Sequence, residues 1–212
     1  MTAHPGKTFT TILFVALAVS TCAASRAHAR AWRPANGGEA NPATAESSIL
    51  AAASAPAAHA IVVGTRGPIL TAFFDPNCMY CHALYVSLQP AVRAGRLRIR
   101  FVLVGIVRPD STARAASILA AADPGQALAE NETRFDRRRE EGGFPIAPRA
   151  RIARFLGVVT NNSATMDMAG GIGTPTLVYC SALTRVFVLQ PGSMPADVIL
   201  AEIASENECR RP

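Results

Sequence analysis

Two cysteines separated by two residues lie directly after an apolar run, and this feature constrains the fold more than any other. The run Ile69–Phe74 has the composition of a buried strand, and it ends at Asp75-Pro76. A helix is predicted from Cys78 to about Val92. Unpaired backbone N–H groups and the helix dipole stabilise a thiolate at a helix N-terminus. The segment therefore predicts an exposed, reactive thiol at Cys78, with Cys81 one turn further along the helix.

The spacing assigns a different role to each cysteine. Cys78 is predicted to be the nucleophile, and Cys81 is placed to attack a mixed disulfide formed at Cys78. Protonated His82 would add positive charge near the thiolates; a solvated helix residue is the equally good alternative. Zinc would need two more ligands, and the sequence contains no second CxxC and no HxxxH. Redox chemistry without a metal or bound cofactor is favoured over a zinc site or an inert structural disulfide.

A second motif, Gly173-Thr174-Pro175, precedes the apolar run Thr176–Tyr179. Proline cannot donate to a sheet ladder, and an X-Pro bond at a strand entry is a candidate for the cis isomer. A trans proline that begins an edge strand is the commoner case when the motif stands alone. Together with an upstream strand–CxxC–helix, the motif predicts a cis-proline loop beside Cys78. Such a loop would offer the backbone of Thr174 to an extended substrate peptide.

The N-terminal residues have the pattern of a cleaved export signal. Lys7 is followed by the apolar stretch Thr11–Val19 and then by Ala27-His28-Ala29, which is typical of a signal peptidase site. We assign residues 1–29 to the signal and expect a periplasmic protein; Thr before Cys22 argues against a lipoprotein. Without this segment, 19 basic residues face 15 acidic ones, which is too small a surplus to indicate nucleic-acid binding.

After the signal, we predict a largely unstructured linker over residues 30–57, which contains Trp32, and one domain over residues 58–212. Its predicted order is strand, helix, strand, helical block, strand, strand, helix, and the helical block occupies about residues 110–160. This order indicates an α/β domain with a mixed sheet and helices on both faces, as in the thioredoxin arrangement with helices inserted in its middle. The predicted elements are strands 60–63, 69–74, 97–106, 176–179 and 185–189, and helices 78–92, 111–122, 124–141, 149–156 and 195–206.

Two further groups of residues have structural interpretations. If Thr176–Tyr179 runs away from the cysteine pair, Cys180 and Cys209 lie at the same far end of the sheet. A structural disulfide is then expected, and a buried Cys180 with a free Cys209 is the alternative. Arg134 and Arg137-Arg-Arg139 are interpreted as a solvated helix end, with a basic patch that attracts substrates as the alternative.

The sequence resembles the periplasmic thiol:disulfide interchange proteins of the DsbC/DsbG type, and DsbG more closely. The resemblance depends on Phe74-Asp-Pro-Asn-Cys78-x-Tyr80-Cys81, on Leu103–Pro109 with Ala115–Pro124, and on Gly173-Thr174-Pro175. It covers roughly residues 60–205. It implies a thioredoxin fold with an inserted helical subdomain and exchange of disulfides with protein substrates. Cys78 would attack and Cys81 would resolve, and Tyr80, Thr174 and Pro175 would bind the substrate.

Two differences from the family limit what the resemblance implies. Met79 stands where the closer relatives carry Pro or Gly, so their redox potential is not transferred. The family also has an N-terminal dimerisation domain, for which residues 30–57 are too short. We therefore expect a monomer that works with a membrane redox partner and reshuffles scrambled disulfides poorly. The rival hypothesis is a peptide-binding or chaperone module in which Cys78–Cys81 is a structural staple.

Overall fold

The computed structural model describes residues 1–2 and 60–209. The predicted signal peptide, Cys22, Trp32 and the linker over residues 30–57 lie outside the described residues. Within the described part of the chain, no helix combines the length and the apolar character needed to cross a membrane.

A five-stranded mixed sheet forms the centre of the domain, in the order β1-β3-β2-β4-β5. Strand β2 pairs parallel to β3 and antiparallel to β4, while β1 and β5 pair antiparallel at the edges. Because β2 and β3 run in parallel, both end at the same edge of the sheet, and antiparallel β4 begins there. The strands are β1 (Ile61–Val63), β2 (Ile69–Phe74), β3 (Arg98–Leu103), β4 (Thr176–Cys180) and β5 (Phe187–Pro191).

Five α-helices pack against this sheet in the described residues, and most of them lie on one face. They are α1 (Met79–Arg93), α2 (Ser111–Leu119), α3 (Pro124–Thr133), α4 (Arg149–Met168) and α5 (Ala196–Glu202); a short 3-10 helix (Glu206–Glu208) follows. All five contribute buried side chains to the larger apolar cluster, on the face that carries Phe74 and Phe101. On the other face, Met166 of α4 packs with Phe73 and Val102. The prediction of helices on both faces is thus met by α4 alone, which contributes to both clusters.

The largest difference from the sequence prediction follows α3. The predicted helix 124–141 ends at Thr133, because Asp136 and Glu141 pair through two backbone hydrogen bonds of 2.8 and 3.1 Å. The Asp136 carboxylate also accepts the backbone N–H groups of Arg138 and Arg139, an arrangement that competes with helix formation. Arg137, Arg138 and Arg139 therefore lie on a tight turn, which we call the 136–141 hairpin, and the prediction of a solvated helix end is wrong for them. It is confirmed for Arg134, which is exposed and forms the C-cap of α3.

Helix α4 is longer than predicted and extends the inserted helices to Met168. The polar run after Leu156 has low helix propensity, but tertiary contacts hold it in the helix. Asn162 Nδ2 donates to the Leu103 carbonyl over 2.9 Å, and the Ser163 hydroxyl accepts the Gly105 N–H. Val159 and Met166 are fully buried along the same helix. These contacts bring α4 against the end of β3.

Candidate active site at the start of helix α1

Cys78 lies at the N-cap of α1, four residues after the end of β2. The turn is closed by a hydrogen bond of 3.0 Å from the Cys78 N–H to the Asp75 carbonyl. Cys78 is 5% exposed and Cys81 is fully buried, so Cys78 is the more accessible thiol. The prediction that Cys78 is exposed is nevertheless wrong in degree, because the residues that line the adjacent cavity cover most of its surface.

The hydrogen bonds around Cys78 favour its thiolate. The Cys81 N–H donates to the Cys78 sulfur over 3.3 Å, and the neutral Cys78 thiol donates to the Thr174 carbonyl over 3.3 Å. The pKa of Cys78 is lowered from 9.0 to about 6, mainly by a hydrogen bond from the Cys81 thiol. Backbone N–H groups of Cys81 and Tyr80 and the Thr174 side chain lower it further, against the opposing effect of burial. Cys78 is therefore largely ionised at neutral pH.

Cys81 has the opposite electrostatic environment. Burial raises the pKa of Cys81 well above 9.0, and the neighbouring Cys78 raises it further. The two cysteines are free thiols in this structure. One member of the pair is consequently a thiolate near neutral pH, while the other stays protonated and donates to it.

The loop before β4 forms the opposite wall of the site. Its Thr174-Pro175 peptide bond is cis, and the Thr174 carbonyl faces the Cys78 sulfur. The Thr174 hydroxyl is buried and makes no hydrogen bond to another described group in this structure. A cavity of about 280 Å³ opens between this loop and the start of α1; it is lined by Cys78, Met79, Tyr80, Ile106, Val107, Glu140, Gly173 and Thr174. Tyr80 is 65% exposed at its rim.

Asp75 joins the cysteine turn to the loop after β3. Its carboxylate is fully buried and accepts four hydrogen bonds. One oxygen accepts the Asn77 N–H at 2.9 Å and the Ser111 hydroxyl at 2.8 Å. The other accepts the N–H groups of Ile106 and Val107 at 2.8 and 2.9 Å. The predicted strand 97–106 stops at Leu103 because the backbone then turns toward this carboxylate. The apolar side of the cavity is thereby fixed relative to Cys78.

Buried amide side chains attach the inserted helices to the same turn. Asn77 Oδ1 accepts the Gly142 N–H over 2.9 Å, and Asn131 Nδ2 donates to the Pro76 carbonyl over 3.0 Å. A Cβ atom at Gly142 would collide with Asn131 Oδ1 and the Pro76 carbonyl, so glycine is required there. These contacts bring the end of the 136–141 hairpin against the cysteine turn.

His82 is neither solvated nor directed at the thiols. Its Nδ1 atom lies 2.9 Å from a carboxylate oxygen of Glu132, and its ring stacks on Phe135 at 4.5 Å. Burial raises the pKa of Glu132, while its hydrogen bonds to His82 and Asn131 lower it. The contacts place His82 between α1 and α3. Its predicted effect on the pKa of Cys78 stays a prediction.

Cys180 and Cys209 form a disulfide at the far end of β4, with their Cα atoms 5.7 Å apart. Thr176 begins β4 next to the cis-proline loop, whereas Cys180 ends it. The bridge ties the residue after the 3-10 helix to the sheet, away from Cys78. Among the described residues, no group of three or more His, Cys, Asp or Glu side chains is placed to hold a metal ion.

A family model described as a thioredoxin-like domain matches residues 55–205. The chain belongs to the thioredoxin-like domain family. This match confirms the α/β thioredoxin fold class, and solved structures share the fold of this thioredoxin-like chain. The catalytic domain of Proteus mirabilis ScsC superposes with a TM-score of 0.54 at 18% identity, over 77% of this chain and 96% of that one. A periplasmic thioredoxin-like protein from Salmonella enterica serovar Typhimurium gives 0.53 at 19% identity, over 76% and 95%.

Two curated relatives confirm the resemblance to DsbG. The thiol:disulfide interchange protein DsbG of Pseudomonas aeruginosa is 34% identical over 133 residues, which are 62% of this thioredoxin-like chain and 48% of that protein. The DsbG of Escherichia coli is 32% identical over 114 residues, which are 53% and 44%. The chain thus spans about half the length of the curated relatives that it matches.

The sequence reasoning missed the polar residues that hold the site of this thioredoxin-like domain together. Asp75 could have been noticed, because a carboxylate directly after a buried strand requires partners. Asn131, Glu132 and Glu140 gave no local signal, because each lies more than 50 positions from Cys78. Their roles depend on the position of the 136–141 hairpin beside the cysteine turn, which buried hydrogen bonds between distant residues set.

Proposed function

We propose that the chain is a thiol–disulfide oxidoreductase that exchanges disulfides with protein substrates through Cys78 and Cys81. One observation carries the proposal. A thiolate at a helix start, with a pKa of about 6, lies beside a buried partner thiol whose pKa is raised above 9.0. Nucleophilic cysteines have such lowered pKa values, whereas inert structural cysteines do not. The DsbG relatives, which are named thiol:disulfide interchange proteins, support the same activity over the alternative of a structural staple.

In the reducing direction, the Cys78 thiolate attacks one sulfur of a substrate disulfide. A mixed disulfide forms, and the second substrate sulfur leaves as a thiolate. Cys81 then attacks the Cys78 sulfur, and its proton passes to a departing substrate thiolate. The substrate gains two electrons, its other thiolate takes a proton from solvent, and the protein is left with a Cys78–Cys81 disulfide. Oxidation of a substrate dithiol is the reverse sequence, and the potential of the redox partner sets the direction.

The loop that contains Thr174-Pro175 is proposed to hold the substrate backbone. The Thr174 carbonyl lies 3.3 Å from the Cys78 sulfur, so a substrate joined to that sulfur must lie along the loop. The ring of Tyr80 is exposed on the opposite rim and offers an apolar surface to the same segment. His82 is proposed to orient α1 through Glu132 and so to affect the thiolate indirectly.

Trapping of reaction intermediates tests the proposal. The Cys81→Ala variant keeps the attacking Cys78 but cannot resolve the product, so it should accumulate mixed disulfides with thiol-containing proteins. Cys78→Ala is the matched control and should accumulate few. Non-reducing gels followed by mass spectrometry of the adducts measure both. Equal trapping by the two variants would contradict the assigned roles. So would more adducts at Cys81 of the Cys78→Ala variant than at Cys78 of the Cys81→Ala variant.

Location and assembly are also proposals. We propose that the protein works in the periplasm with a membrane redox partner and as a monomer. The Salmonella structural relative described as periplasmic and the export signal in the sequence support the location. N-terminal sequencing of the exported protein and light scattering measure processing and oligomeric state. An unprocessed chain or a stable dimer would refute the respective proposal.

A further inference from the structure

Glu140 is the one carboxylate among the described residues that line the cavity at Cys78. The other lining side chains are apolar, or belong to Cys78, Gly173, Thr174 and the phenol Tyr80. No described Lys, Arg or His side chain forms an ion pair with Glu140, although arginines precede it in the sequence. A carboxylate without an ion-pair partner among the described residues therefore borders the cavity.

The backbone at Glu140 has a conformation that non-glycine residues rarely adopt, with φ at 51°. Such a conformation costs free energy and persists only where the surrounding structure enforces it. Here the two hydrogen bonds between Asp136 and Glu141 close the hairpin at its base. The Arg108 guanidinium donates to the Arg139 carbonyl over 2.6 Å and fixes the residue before Glu140.

The hairpin is also anchored on its far side, immediately after Glu140. The Glu141 carboxylate pairs with the buried Arg114 guanidinium at 2.7 Å, and Arg114 also donates to the Gly142 carbonyl at 2.6 Å. The Gly142 N–H then bonds to Asn77, the residue before Cys78. The Glu140 backbone consequently has a fixed position relative to the reacting sulfur.

We propose that Glu140 determines specificity by making Cys78 react faster with disulfides whose neighbouring groups are cationic than with disulfides whose neighbouring groups are anionic. This inference rests on the proposed function. Arg137, Arg138 and Arg139 are exposed on the same hairpin and act in the opposite sense. They do not line the cavity, and the interaction between charges falls with distance and is screened by salt. The charge of Glu140, which lines the cavity, therefore governs the reaction at Cys78.

The test uses three small disulfides of similar size: cystamine, which is cationic, bis(2-hydroxyethyl) disulfide, which is neutral, and 3,3′-dithiodipropionate, which is anionic. Each removes two electrons from the reduced full chain, leaves the Cys78–Cys81 disulfide and gives two small thiols. Acid quenching and mass spectrometry follow the protein at low ionic strength. The same disulfides reacting with 2-mercaptoethanol correct for their intrinsic reactivity.

After that correction, the rates should fall in the order cationic, neutral, anionic. The Glu140→Gln variant should reduce the cationic-to-anionic rate ratio by about tenfold, the size expected for removing one nearby charge. Taking the ratio cancels any change in the pKa of Cys78, which affects all three reactions equally. Glu140→Lys should invert the order. Glu208→Gln removes the same charge near the distant Cys180–Cys209 disulfide, and its ratio should equal that of the unmodified protein.

The outcomes separate this inference from the proposed function. If the neutral disulfide oxidises the protein but Glu140→Gln keeps the original rate ratio, the role of Glu140 is refuted and the proposed function stands. If the anionic disulfide reacts fastest, the arginines govern the site and the inference is again refuted. If none of the three disulfides oxidises the Cys78–Cys81 pair, the proposed function fails and the inference fails with it.

Discussion

Removal of the Cys81 thiol should raise the pKa of Cys78 more than any other single substitution at the site. The pKa of Cys78 falls from 9.0 to about 6, which is a thousandfold change in its acid dissociation constant and about 4 kcal/mol of preference for the thiolate. The hydrogen bond from the Cys81 thiol is the largest contribution to this change. Cys81→Ala deletes that donor and leaves the backbone N–H groups of Cys81 and Tyr80 in place.

A hydrogen bond to a charged group contributes about 1.5–3 kcal/mol. Its loss should therefore lower the acid dissociation constant of Cys78 by about 10- to 150-fold. Near pH 7, the ionised fraction of Cys78 should fall from about nine tenths to about half or less. The pKa does not return fully to that of a free thiol, because the remaining donors still stabilise the thiolate.

Thiolate absorbance at 240 nm, titrated under nitrogen, measures this change. The variant that lacks both cysteines supplies the baseline. Cys81→Ser is the matched control, because its hydroxyl can still donate to the Cys78 sulfur and should keep most of the lowered pKa. An unchanged pKa in Cys81→Ala, or equal increases in Cys81→Ala and Cys81→Ser, would show that a thiol donor is not the cause.

Three further predictions concern stability. Replacing both Cys180 and Cys209 by Ala should lower the free energy of unfolding in urea by about 3–4 kcal/mol, because the bridge closes a loop between positions 29 apart; a loss below 1 kcal/mol would contradict this. Asp75→Asn should cost about 1–3 kcal/mol in the same assay, because an amide cannot accept all four hydrogen bonds of the carboxylate; an unchanged value would refute the assigned contacts. Because the folded-state pKa of Cys78 is below its unfolded value, the reduced protein has the thiolate stabilisation in full above pH 9 and loses it as the pH falls through about 6. Urea unfolding between pH 6 and 9 measures how the free energy of unfolding depends on pH in the reduced protein and in Cys78→Ala. The same pH dependence in both proteins would refute this prediction.

The cysteine site could be predicted from the sequence because its signals are local. A strand, a short turn and a helix start within ten residues fix where Cys78 lies and which thiol is more accessible. The exposure of Cys78 was overestimated, since the residues that cover it come from other parts of the chain. The ends of α3 and α4 were misplaced for a related reason. Hydrogen bonds of Asp136 stop one helix, and contacts of Asn162 with the end of β3 prolong the other.

The meeting of three loops at Cys78 follows from strand direction and was accessible in principle. Strands β2 and β3 are parallel, so the loops that follow them leave the sheet at one edge, and β4, antiparallel to β2, enters at that edge. The cysteine turn, the loop of Ile106 and Val107, and the loop before Pro175 must therefore be neighbours.

The position of Glu140 has no such topological cause. It depends on how α3 is oriented, which is set by buried polar contacts such as those of Asn131 with Pro76 and of Asn77 with Gly142. These contacts join residues 55 and 65 positions apart. Hydrophobic periodicity places a helix against a core but does not determine its orientation there. Directional hydrogen bonds decide it, and they also decide which charge faces the reacting sulfur.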